Sequence, residues 1–115
     1  MSGWLIKQGD KGLVKGWKRR FFRSTAEGLN YSAQPHSKVL GQIHYPDLVS
    51  VEPVPDPSRT GRFNVLVRTG RIYRLEAANP DEQQMWIDFF QQRIIDNEKG
   101  GDRVDVIYLS EPRPT

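Results

Sequence analysis

The chain has 115 residues, 37% of them hydrophobic and 27% charged, which suits one soluble domain with a real core and is too short for two. It contains no cysteine, which excludes a disulfide framework or a thiolate metal site and fits a reducing compartment. The net charge of +3 is unevenly spread: Lys7 to Arg23 holds seven Lys or Arg against one Asp, the remainder is net acidic, and such clustering points to an anionic partner.

No apolar run approaches the about 20 residues of a membrane span, and Lys7 interrupts the N-terminal apolar run before it reaches the length of a signal-peptide core. The first two thirds of the chain read as short strands separated by turn residues. Gly3 to Lys7 and Trp17 to Arg23 form the first pair, joined by a connection rich in Gly and Lys. Its bulky apolar residues, Trp4, Leu5, Ile6, Trp17, Phe21 and Phe22, are those of a buried sheet. Leu29 to Ala33 is a third strand, and "QPHSK" breaks the pattern before Gly41 to Tyr45. In "DLVSVEPV", Leu48 alternates against Val49 and Val51. "PDPSRTG" is a turn cluster, and "RFNVLVRTGRIYRLEA" is a hairpin about Thr69-Gly70.

The period then changes. Asn79-Pro80-Asp81-Glu82 combines an N-cap Asn, a Pro at the first helical position and a Glu three residues after the cap. Trp86, Phe89, Phe90 and Ile94 follow on one stripe of an amphipathic helix, which Gly100-Gly101 is expected to end. Seven strands and one helix thus occupy residues 1–99, with the helix capping an open end of the sheet. Residues 100–115 read as a tail or linker, in which Val104 to Leu109 forms a short β-like run.

The hairpin can be folded on paper. Directly opposed residues of an antiparallel pair have a constant index sum, and side chains alternate faces. If Lys7 pairs with Lys18, then Leu5 pairs with Arg20 and Gly3 with Phe22. Leu5, Lys7, Lys18, Arg20 and Phe22 then share one face, apolar at the core end and basic at the loop end, which forms a cup for an anion. Arg19 has the opposite parity and points away from that cup. Arg20 is the strongest candidate, since a guanidinium holds a phosphate bidentately, while Lys7 and Lys18 act as movable point charges.

"GWLIKQG", the "KGWKRRFF" beyond a short loop, and the lone Trp86 of the C-terminal helix together resemble a pleckstrin homology (PH) domain across nearly the whole chain. The resemblance implies a mainly β fold, a seven-stranded, strongly bent antiparallel sandwich capped by one C-terminal helix. Members of this family often bind phosphoinositide headgroups and sometimes proteins. Some recognise 3-phosphorylated inositides through a Lys, a variable loop, then Lys or Arg, any residue, Arg and two hydrophobics. Lys7, Lys18, Arg19, Arg20, Phe21 and Phe22 match that pattern. Tyr31 matches a strand-3 position whose hydroxyl meets the phosphate, and reads equally as a half-buried strand aromatic. Lys15 matches a headgroup-contacting lysine late in the loop, or is a solvated loop charge. Members with high affinity for the trisphosphate often carry a basic residue just before the strand-4 glycine. Here that residue is Leu40, with His36 and Lys38 nearby, which implies weaker or less selective recognition.

In the loop "DKGLVKG", Leu13 and Val14 stand between Lys11 and Lys15, a composition suited to a membrane interface. The alternative is that the apolar pair folds back on the sandwich. An enzyme is not expected: His36 and His44 lack a nucleophile partner, and the loop glycines make no Walker motif. Trp86 is read as structural, and no cofactor or metal is implied. Single-strand nucleic-acid binders interleave exposed aromatics with cations, whereas the aromatics beside these cations fall mostly on plausible core positions. The expected partner is therefore phosphoinositide lipid and not nucleic acid, and the expected protein is a cytoplasmic monomer reversibly recruited to membranes. A protein-interaction module, for a phosphopeptide or a small GTPase, is the alternative.

Overall fold

Period-two alternation up to Glu76 and a 3.6-residue period after Asn79 produce two kinds of structure in the computed structural model, which describes residues 1–9 and 16–102. The strands are β1 (Ser2–Gln8), β2 (Trp17–Ser24), β3 (Gly28–Ser32), β4 (Val39–His44), β5 (Leu48–Pro53), β6 (Arg62–Val67) and β7 (Ile72–Glu76). A 3-10 turn at Tyr45–Asp47 joins β4 to β5, and helix α1 spans Pro80–Asp102. All neighbours are antiparallel, in the spatial order β4-β3-β2-β1-β7-β6-β5.

Burial shows how the sheet bends. Leu5, Phe22, Leu29 and Ile43 from β1 to β4 share one buried cluster with Phe63, Val65 and Leu75 from β6 and β7. Those residues can meet only if the sheet folds over on itself, with β1 pairing β2 on one side and β7 on the other. Helix α1 lays Trp86, Phe90 and Ile94 onto the same cluster, with Ile87 and Phe89 packed against it. Its start is capped as the sequence implies: the Glu82 amide donates to Asn79 Oδ1 at 2.9 Å. Its end differs. The helix runs through Gly100 and Gly101 to Asp102, because glycine weakens a helix by about 1 kcal/mol without forbidding it. The expected run Val104 to Leu109 lies outside the described residues. No helix among the described residues is long and apolar enough to cross a membrane.

Two local departures from the sequence reading have clear causes. In β5 the pairing passes from Leu48↔Val67 to Ser50↔Leu66, so Val49 is an extra, bulged residue. The bulge resets parity: Leu48 and Val51 are both buried and Val49 is exposed, in place of simple alternation. In the first hairpin only Leu5 and Phe22 enter the core. Trp4, Ile6, Trp17 and Phe21 are half-buried, because strand alternation sends Trp4, Ile6 and Phe21 to the opposite face.

The base of the hairpin is anchored from the side. The Arg62 guanidinium lies 4.2 Å from the Trp17 ring centroid and donates through Nε to Glu76 Oε1 at 3.1 Å. Gln83 of α1 donates to the Arg62 carbonyl at 2.6 Å, and Asp56 reaches the same guanidinium at 3.7 Å. Hydrogen bonds from the Ser58 hydroxyl and amide hold the Asp56 carboxyl below the usual carboxylate range, with the Arg62 charge adding to them. Beyond Trp17, the Gly9 amide donates to the Gly16 carbonyl at 2.9 Å and closes the mouth of the β1–β2 loop.

Candidate functional site

The register of the first hairpin decides which cations can cooperate. Lys7 opposes Lys18, Leu5 opposes Arg20 and Gly3 opposes Phe22. The inner face of β1 and β2 therefore runs from the buried pair Leu5 and Phe22 to the basic set Lys7, Lys18 and Arg20 at the loop end. Lys18 is exposed and Arg20 half-buried, and neither makes an ion pair among the described residues. One Arg20 nitrogen, Nη1, donates to the Arg19 carbonyl at 3.0 Å, which fixes the plane of the fork.

Lys7 is the unusual member, with only 9% of its surface exposed. Its ammonium lies 5.0 Å from the Tyr31 ring centroid and 5.9 Å from that of Tyr73, with the Gln8 carbonyl 3.5 Å away. Two electron-rich ring faces compensate part of the water that this cation gives up. Tyr31 reaches this position because it lies across Gly41, its partner in β4. A Cβ at residue 41 would collide with the Tyr31 hydroxyl, so glycine is needed for the ring to cross the strand and meet Lys7.

The structure thus brings together Lys7, Lys18, Arg20 and Tyr31. Lys11, Leu13, Val14 and Lys15 lie outside the described residues. Trp86 stands apart from the cup: it is 3% exposed, and its ring meets Phe22 edge-on at 6.3 Å beneath the hairpin. His36 does not join the cup either, since it lines a shallow groove with Phe21 and Arg23 on the outer face of the sheet.

Two residues at the mouth escaped the sequence reading. Tyr73 forms the second wall around Lys7, and Arg71 stacks on it at 4.1 Å from the ring centroid. Both are distant from Lys7 in sequence and are brought in by the pairing of Lys7 with Leu75. Their signal was parity, because Tyr73 and Leu75 share one face of β7 and Arg71 stands two residues before Tyr73, just outside the strand. Among the described residues no group of three His, Asp or Glu is placed to hold a metal ion.

A family model described as the PH domain matches residues 1–94. The chain belongs to the PH-domain family. Domains of this family are non-catalytic modules that bind inositol phosphates and sometimes proteins. The chain is 33% identical over 89 residues to human pleckstrin homology domain-containing family A member 6, covering 75% of this chain and 8% of that protein. It is 30% identical over 114 residues to mouse cytohesin-4, covering 81% of this chain and 28% of that protein. The chain thus spans only a small part of the curated relatives it matches. Among solved structures, it resembles the C-terminal PH domain of pleckstrin in complex with D-myo-Ins(1,2,3,5,6)P5. The TM-score is 0.69 and the identity 31%, covering 82% of this chain and 93% of that one. The human TBC1 domain family member 2 PH domain gives a TM-score of 0.74 at 24% identity, covering 89% and 86% of the two chains, a likeness of fold.

Proposed function

We propose that this PH domain is a membrane-targeting module that binds phosphoinositides, with preference for headgroups carrying a 3-phosphate. The observation that carries the reading is the shared inner face of Lys7, Lys18 and Arg20, bounded by Tyr31. Three cations converge at the open end of a face whose other end is core. Arg20 supplies a planar fork for one phosphate, while the two lysines adapt to its neighbours. Lys7, held between the rings of Tyr31 and Tyr73, places a positive charge at the floor of that face, where an anionic headgroup would meet it. The pleckstrin domain solved with an inositol pentakisphosphate supports the same ligand class.

In this reading the β1–β2 loop faces the bilayer, with Lys11 and Lys15 near anionic lipid and Leu13 and Val14 entering the interface. The protein is then cytoplasmic and reversibly recruited. Leu40, exposed just before Gly41, leaves the strand-4 side of the cup without a cation at that position and implies modest selectivity. Sedimentation with liposomes carrying each phosphoinositide, at physiological salt, tests the proposal. Stronger binding to 3-phosphorylated lipids is expected. Equal binding to phosphatidylserine vesicles of the same charge would reject headgroup recognition.

A further inference from the structure

The outer face of the same hairpin carries a second organised surface that headgroup binding does not use. The registers align Trp4 with Phe21, Phe21 with Ser32 and Ser32 with Val39, a single row crossing four strands. Trp4 and Phe21 meet edge to face at 5.3 Å, both rings are half-buried, and Val39 is 51% exposed. Trp4, Phe21 and Val39 make this row an apolar ridge on the side of the sandwich, interrupted at Ser32, which is buried and donates its hydroxyl to the Gln34 carbonyl at 2.6 Å.

Cations flank the ridge on both sides. The Arg19 guanidinium lies 3.9 Å from the Trp4 ring centroid, and that of Arg23 lies 5.4 Å from the Phe21 centroid. Both are exposed, and neither side chain makes an ion pair among the described residues. Four residues apart on one strand, their backbone positions are about 13 Å from each other. Each guanidinium rests near an aromatic ring and keeps N–H groups with which to donate to a carboxylate. At one end the ridge opens into a groove of about 440 Å³ lined by Trp4, Ile6, Ala78 and Glu82. At the other end lies a groove of about 290 Å³ formed by Phe21, Pro35, His36 and Val39.

From this arrangement we infer that the outer face of β1 to β4 docks an amphipathic segment of a partner protein. The segment lays an apolar stripe along Trp4, Phe21 and Val39 and presents carboxylates on its flanks to Arg19 and Arg23. The charge pattern selects that occupant. A nucleic-acid strand is anionic along its whole length and would meet Glu82, which lines the first groove beside Arg19. A bilayer met by the loop end of the hairpin would run across the strand ends, whereas this row crosses the side of the sheet three residues from Lys7 along β1. The ridge lies on the side of the domain, so a partner can sit there while the cup holds lipid. This inference does not rest on the identity of the headgroup.

Selection of a random 12-residue phage-displayed peptide library on the folded chain tests it, followed by titration of the consensus peptide. The expected consensus has apolar residues flanked by Asp or Glu. Arg19→Glu with Arg23→Glu should weaken the peptide at least tenfold, whereas Arg20→Ala and saturating soluble inositol phosphate should leave its affinity unchanged. Arg19→Gln with Arg23→Gln removes the charges without reversing them and serves if reversal unfolds the sheet. Failure to enrich any peptide overturns the proposal, as does a peptide displaced by inositol phosphate or indifferent to both double variants. So does competition with the peptide, dependent on Arg19 and Arg23, by a 15-nucleotide oligo(dT) or by phosphatidylserine vesicles, since another class of ligand would then cover the face.

Discussion

The two faces of the β1–β2 hairpin are made from one run of residues, yet they differ in kind. In Lys18 to Arg23, alternate residues Lys18, Arg20 and Phe22 turn inward, while Arg19, Phe21 and Arg23 turn outward. On the inner face the cations converge on one mouth, and Lys7 is held between the rings of Tyr31 and Tyr73. On the outer face Arg19 and Arg23 are spread over separate rings with apolar surface between them. Convergent charge suits a compact polyanion, and separated charge suits an extended partner. A dense basic stretch in a strand therefore encodes two surfaces, and only parity tells them apart.

The largest expected effect removes the support that both faces share. Trp86 packs under Phe22 and also lies 3.4 Å from where a Cβ on Gly3 would stand, so it underlies β1 and β2 together. Trp86→Ala should destabilise the domain by about 3–5 kcal/mol through the cavity it leaves. Chemical denaturation followed by circular dichroism measures this, and an unchanged midpoint would place Trp86 outside the packing that holds the hairpin.

Next comes the inner face alone. Arg20→Ala should cost about 1.5–3 kcal/mol of affinity for a soluble inositol phosphate, the usual worth of a charge-assisted hydrogen bond. Stability should hardly change, because Arg20 is half-buried and donates to the carbonyl of its own neighbour, Arg19. Calorimetric titration beside a melting curve checks both halves. Wild-type affinity in a folded Arg20→Ala domain would remove the convergent cup from the comparison.

How far each face was legible in the sequence follows from whether its determinants are local. The register of the hairpin was, because a constant index sum joins Lys7 to Lys18 and Leu5 to Arg20 across a short loop. The helix start was also legible, since Asn79 caps it within three residues. So was the β6–β7 turn, where Gly70 adopts a positive φ of 94° suited to glycine. What stayed hidden depends on distant pairing or on small irregularities. Tyr73 and Arg71 reach Lys7 only through the β1–β7 contact, and the Val49 bulge leaves no mark in an alternating apolar pattern. The ring faces of Trp4 and Phe21 were assigned to the core because size and hydrophobicity do not state which side of a strand is covered.

A third variant separates the cup from the loop in front of it. Leu13 and Val14 changed together to Ser should lower liposome affinity by about 2 kcal/mol, through lost apolar burial in the bilayer. Affinity for the soluble headgroup should stay the same. Equal losses in both assays would mean that the apolar pair supports the domain and not its membrane contact.

The smallest expected effect is the most discriminating. Arg19 neighbours Arg20 in sequence and carries the same charge, so a purely electrostatic account of the basic run predicts similar losses from either. The structure separates them: Arg19 opposes Ile6 and its guanidinium lies 3.9 Å from the Trp4 ring centroid, on the side of the sheet away from Lys7. Arg19→Ala should therefore change affinity for the soluble inositol phosphate by less than about 0.5 kcal/mol, the usual range for a surface substitution outside a site. At physiological salt the Debye length is about 8 Å, so an exposed charge on the far face is largely screened from the cup. Titrations of Arg19→Ala and Arg20→Ala at the same ionic strength measure the contrast directly. If the two variants lose equal affinity, parity does not partition the basic run, and the cup must draw on both faces of the hairpin.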